Sequence, residues 1–183
     1  MASSSLEAFS QLHFGGEPVP ADIAVMLEHG DEFFETTGIY FVRDDAKPWN
    51  DTSYLTPAQL ENPDIASNVR AMAETNRHIA FFAVSEDDEF YGFWRGPEHR
   101  AIAGSPLVWL DNEGQYQTLD ASSFAAGLCE ALSWNDNLRG FLERIGVNVP
   151  EEIGLEPWPD GLVTPQKYRE ALYSQYLSER SSG

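Results

Sequence analysis

The chain has 183 residues, with 30 Asp plus Glu against 11 Lys plus Arg, a formal net charge of −19 and a pI of about 4.3. This balance excludes a general basic surface for nucleic-acid phosphates and a polybasic face for anionic lipid. Hydrophobic residues at 42% and aromatics at 13% exclude an acidic disordered tail, and the length suits one domain with a sizeable core.

The first expected helix runs from about Ser4 to Leu12, with Leu6 and Phe9 three apart. A clearer one follows Pro20, where Ile23, Met26 and Leu27 form an i, i+3, i+4 stripe that Gly30 is placed to end. Gly38-Ile39-Tyr40-Phe41-Val42 reads as a strand. Residues 43–53 then form a polar loop holding Asp44, Asp45, Trp49 and Asp51.

Thr56-Pro57-Ala58-Gln59 has the pattern of a capping box, and Asn62-Pro63 starts a further helix whose Ile65, Val69 and Met72 are expected to share a buried face. Ile79 to Val84 is continuously apolar, as in a strand covered on both faces. Ser85 to Glu89 is the turn and Phe90 to Arg95 the return strand. Pro106 to Leu110 and Gln115 to Leu119 flank a second turn, Asp111-Asn112-Glu113-Gly114. Asp120 or Ser122 is the expected cap of a helix with Phe124, Leu128 and Leu132 on one side.

From Ser133 the chain reads as a helical extension. Leu138, Phe141, Leu142 and Ile145 form a stripe that Gly146 ends. Residues 147–163 are a Pro- and acid-rich connector, and Thr164-Pro165 opens a last helix with Tyr168, Leu172 and Tyr176 on one face. The expected fold is α+β: an antiparallel-rich central sheet flanked by helices, in a single domain over 1–183.

The chemistry-bearing patterns are sparse. There is no Gly-rich phosphate loop, no H-E-x-x-H, no G-x-S-x-G and no EF-hand loop. The single cysteine, Cys129, allows no intramolecular disulfide or cysteine-based zinc site and reads as a small apolar helix residue. His13, His29, His78 and His99 show no metal-ligand spacing and read as ordinary surface or edge residues. No catalytic residue, cofactor site or metal site is expected. The N-terminus has no secretory pattern, and no apolar run approaches the about 20 residues of a membrane span, so a cytoplasmic location is expected.

The acid is spread along the chain: 10 acids against 2 bases in residues 1–60, 11 against 4 in 61–120, and 9 against 5 in 121–183. Its densest run is Glu86-Asp87-Asp88-Glu89. Four carboxylates on a turn either form a solvated hairpin tip or raise the local potential toward a basic partner. Tyr91 and Phe93 point to one side of their strand, and Phe90, Gly92 and Trp94 to the other. Both sets are core unless one face stays open. In that case Trp94 would sit among acids, the anatomy of a protein–protein hot spot. The candidate partner-binding residues are Glu86, Asp87, Asp88, Glu89, Trp94, Asp44 and Asp45.

Residues 17–132 resemble the SUKH superfamily, the Smi/Knr-type domains. The resemblance is carried by Pro18-Val19-Pro20-Ala21-Asp22-Ile23 with the helix to Gly30, and by His78 to Val84 with the acidic turn and Phe90-Tyr91-Gly92-Phe93-Trp94. Ser105 to Asp111 and Asp120 to Leu128 complete it. Glu86 to Glu89 stand where the family's hairpin commonly has glycine. The resemblance implies an α+β domain that neutralises a toxin, often a nuclease, by binding it without catalytic residues. Such toxins tend to be basic, so a basic protein toxin is the expected partner. The alternatives are an enzyme with an unrecognised carboxylate site, or a regulatory or scaffold module of the same fold.

Overall fold

Five strands form one antiparallel sheet in the order of the chain: β1 (Ile39–Phe41), β2 (Ile79–Ser85), β3 (Phe90–Trp94), β4 (Leu107–Leu110) and β5 (Tyr116–Leu119). The computed structural model describes residues 2–45, 47–154 and 156–181, with side chains from Ser5 to Glu179. Among these residues there are eight helices, and the fold is α+β as the patterning predicts. Each strand pairs with its sequence neighbour, so the sheet is a meander; tight turns join β2 to β3 and β4 to β5, and longer segments make the other two connections.

Both faces of the sheet are covered. On one side Phe82, Ala83, Tyr91 and Phe93 meet five helices, α1 (Ala2–Phe14), α2 (Ala21–Glu28), α3 (Gly30–Thr37), α6 (Phe124–Ala131) and α7 (Asp136–Arg144). The buried contacts there include Phe9, Phe14, Ile23, Phe33, Phe124 and Phe141. On the other side Phe81, Val84, Phe90, Trp94 and Tyr116 form a second cluster. It is closed by Trp49, by Met72 of α5 (Pro63–Asn76), by Trp158, Leu162 and Val163 of the connector, and by Tyr168 of α8 (Pro165–Ser181). This double covering explains why β2 and β3 are buried along their whole length.

The chain beyond Ser133 is therefore integral to the core among its described residues. The stripe Leu138, Phe141 and Leu142 is buried against the first face. The connector and α8 seal the second, where the indole N–H of Trp94 donates to the Val163 carbonyl at 2.8 Å.

A bulge in β2 sets which side chains reach which face. Phe81 pairs with Gly92 and Ala83 with Tyr91, so Phe82 is an extra residue and both Phe82 and Ala83 face the first cluster. Gly92 sits where the strands come closest. A Cβ there would stand 2.6 Å from Ile79 Cγ2 and 2.9 Å from the Ala80 carbonyl oxygen, so only glycine fits.

Several local expectations are met. Thr56 and Gln59 form the capping box that opens α4 (Pro57–Glu61), and Asn62 caps α5. Others are corrected. Gly30 does not end a helix: α2 stops at Glu28, and Gly30 begins α3, which Gly38 closes in the left-handed conformation at φ 70°. Neither Asp120 nor Ser122 caps α6. Ser123 does, accepting from the Ala126 N–H, while the Asp22 carboxylate reaches across from α2 to accept from the Ala125 N–H at 3.0 Å. In α5 the fully buried line is Ser67, Ala71 and Thr75, and Ile65, Val69 and Met72 flank it half-buried. Small residues occupy that line on the helix that packs against α8.

Candidate functional site

The β2–β3 hairpin tip is held by its backbone. The Ser85 N–H donates to the Glu89 carbonyl at 2.9 Å, and the Asp88 N–H to the Ser85 carbonyl at 3.1 Å. Asp88 takes φ 59°, the left-handed region that Asp and Asn tolerate best after glycine. The Glu86 N–H donates to the Gly38 carbonyl at 2.9 Å, which ties the tip to the end of α3. Glu86, Asp87 and Asp88 are exposed. Glu89 is half-buried and accepts the Tyr91 hydroxyl at 3.1 Å. The ion pairs of the described residues involve Glu17, Glu32, Glu74 and Glu179, and no carboxylate of the tip. Because β4 pairs with β3 and β5 with β4, the Asp111–Gly114 turn lies at the same end of the sheet and adds Glu113 to the exposed acids there.

The seven candidate residues do not form one site. Asp44 and Asp45 are exposed but follow the opposite end of β1, beside α1, while Glu86 adjoins its start. Trp94 is not a surface residue and is withdrawn as a partner contact: it is 0% exposed. The helical C-terminus covers the face on which Trp94 lies, so no aromatic hot spot opens there. Trp134 is the strongly exposed tryptophan, at 73%, in the loop between α6 and α7. The Asn135 side chain anchors that loop by donating to the Thr36 carbonyl of α3 at 2.7 Å. Sequence patterning does not separate Trp134 from a core tryptophan; its flanks, Ser133 and Asn135, are the one polar signal.

No carboxylate of the described residues is fully buried. Two are displaced from their ordinary range, both downward. Arg144 holds Glu32 low by hydrogen bond and charge, and hydrogen bonds from the Ser53 N–H and then its hydroxyl hold Asp51 low. The general acid of a carboxylate pair is displaced in the opposite direction. Among the described residues no group of three or more His, Cys, Asp or Glu is placed to hold a metal ion, and no helix is long and apolar enough to cross a membrane. Burial raises the Cys129 thiol.

Two histidines are structural in a way their spacing did not disclose. The His13 ring lies between the Phe81 and Val42 carbonyls, at 2.7 and 2.6 Å, beside the β2 bulge. Burial lowers its pKa against the pull of those two oxygens and of Asp44. His78 is 9% exposed, with Nδ1 unpartnered and the ring among Trp94, His99 and Tyr168. Burial, then the His99 imidazole, holds its pKa below the ordinary 6.5; Glu74 at 3.8 Å acts the other way, and Arg77 adds to the lowering. The folded state thus favours neutral His78. Its contribution is fully present above the ordinary imidazole value and is lost as pH falls through about 6.5 toward the lower folded value. Denaturant midpoints measured from pH 7.5 to 5.5 are expected to fall, and less steeply in His78→Phe. Equal slopes would show that His78 is not linked to folding.

Scans against protein-family models, curated proteins and solved structures find no match for this chain.

Proposed function

We propose that this chain is a non-catalytic intracellular binding protein that neutralises a basic protein toxin by direct contact, as the SUKH-type immunity proteins it resembles do. The observation that carries this reading is the hairpin tip: Glu86, Asp87 and Asp88 stand exposed on a backbone-bonded turn, outside the ion pairs of the described residues. A fixed cluster of unpaired charge attracts an opposite field at little ordering cost. The net charge of −19 extends the same field over the surface. Toxins that act on nucleic acid carry basic surfaces, which an acidic protein can occupy in competition with phosphate.

The direct test is co-expression with the toxin encoded beside its gene. Rescue of growth and a complex that weakens with salt are expected; no rescue and no complex at low salt would overturn the proposal. A variant separates the tip from the general charge. Glu86→Lys with Asp87→Lys and Asp88→Asn keeps the left-handed position strain-free and leaves Glu89 on Tyr91. Stopped-flow association at low salt is expected to slow by about tenfold or more, with dissociation little changed. An unchanged association rate would remove the tip from the interface.

A further inference from the structure

A concave surface lies away from the tip, between α1 and the C-terminal end of α2. Its volume is about 510 Å³, within the ~300–1,000 Å³ of ligand-sized sites. Its floor is apolar: Ala8, Phe9 and Leu12 of α1 and Leu27 of α2. Helix α1 turns Phe9 and Phe14 into the core and leaves Ala8 and Leu12 outward, with Leu12 40% exposed. An i, i+4 apolar pair on the open side of a core helix is the arrangement that receives an amphipathic segment. The remaining wall is Ser5 of α1 with Arg43, Asp44 and Asp45. Arg43 also lines the groove, but its guanidinium extends toward the α2–α3 junction, 2.8 Å from where a Gly30 Cβ would stand; Asp44 and Asp45 are the two carboxylates of the rim.

We propose that this groove docks a basic amphipathic segment of the partner, with its apolar side chains on Leu12 and Leu27 and its Lys or Arg side chains toward Asp44 and Asp45. Charge complementarity selects the occupant. A second copy of this chain brings another −19, and an anionic lipid surface is repelled for the same reason. The proposal rests on the partner being basic, not on the hairpin tip being the contact.

The probe is the 14-residue peptide LKKLLKLLKKLLKL, titrated at low salt by fluorescence anisotropy and amide chemical-shift mapping. Octalysine, which has no apolar face, is the companion. Shifts are expected at Ala8, Leu12, Leu27, Asp44 and Asp45. Ala8→Trp, which fills the groove from an exposed helix position, is expected to weaken the amphipathic peptide about tenfold and to leave octalysine unchanged. Leu12→Gln is expected to do the same and stands in if Ala8→Trp fails to fold. Asp44→Asn with Asp45→Asn is expected to weaken binding about threefold or more, and the charge-matched pair Glu151→Gln with Glu152→Gln less than twofold. Wild-type affinity in both groove variants, an equal loss in the connector pair, shifts confined elsewhere, or no binding of the amphipathic peptide would each overturn the groove. Failure of octalysine and the amphipathic peptide alike would sink the basic-partner reading itself, whereas octalysine binding with indifferent groove variants would sink the groove alone.

Discussion

Removal of residues 164–183 is expected to abolish cooperative unfolding. Helix α8 looks like an appendage because it follows a Pro-rich connector, but it closes the second face of the sheet. Tyr168 packs on Trp94 at 5.8 Å between ring centroids, and Arg70 of α5 lies 3.6 Å over the Tyr176 ring. Arg169 donates to the Gly114 carbonyl at 2.6 Å, which fastens the helix to the β4–β5 turn. Uncovering this face exposes parts of Trp94, Tyr116 and neighbouring aromatics. Each large side chain returned to water costs about 1.5–3 kcal/mol, so a few of them match the ~5–15 kcal/mol that separates folded from unfolded in a typical domain. The truncated chain is expected to bind a hydrophobic dye and to show no sharp thermal transition. A cooperative melt with native near-UV dichroism would mean that the first core stands alone and α8 is a true extension.

Trp94→Ala is expected to cost about 3–5 kcal/mol, and Trp134→Ala to fall within about 0.5 kcal/mol of wild type. Trp94 is 0% exposed and Trp134 is 73% exposed. The first substitution also leaves the Val163 carbonyl without its indole donor, which is 2.8 Å away in the native protein. Denaturant titration of the two variants measures the difference. Iodide quenching of the wild type provides an independent check, since Trp134 is expected to account for much of the quenchable emission. Equal destabilisation by the two substitutions would refute the assignment of Trp94 to the core and Trp134 to the surface.

Most of the elements were legible in the sequence, because their signals are local. The apolar run Ile79–Val84, the acidic turn and the return strand specify a hairpin within sixteen residues, and the Thr56–Gln59 box marks a helix start through bonds three residues apart. Helix α3 escaped because Phe33 is its one fully buried residue, so it lacks an apolar stripe; the acids of its first turn and Gly38 beyond its end were the available signals. The α6 cap was misplaced by one to three residues because Asp120, Ser122 and Ser123 are equivalent by type. Asp22, 103 residues away, also meets this helix end.

The candidate site was legible only in part. The tip could be found because Glu86 to Glu89 follow one another on a turn. Asp44 and Asp45 acquire a groove only when α1 and α2 come together beside them, and the apolar residues involved are indistinguishable in sequence from core residues. His13 shows the same limit: its two carbonyl partners lie 29 and 68 residues away.

By itself the sequence determined the charge, the five strands, most of the helices, the two hairpins and the acidic tip. These follow from composition or from patterns within a short stretch of chain, whereas the pairing of β1 with β2 joins residues as far apart as Ile39 and Ser85. The tertiary structure alone decided which aromatics meet water. Alternation sorts Tyr91 and Phe93 from Phe90 and Trp94, but it does not say whether a face is open. That was settled by a connector carbonyl 69 residues beyond Trp94 and by the helix that follows it. Burial is a property of what arrives from elsewhere in the chain, and so the tryptophan that reads as a hot spot is core while the exposed one lies in an inconspicuous loop.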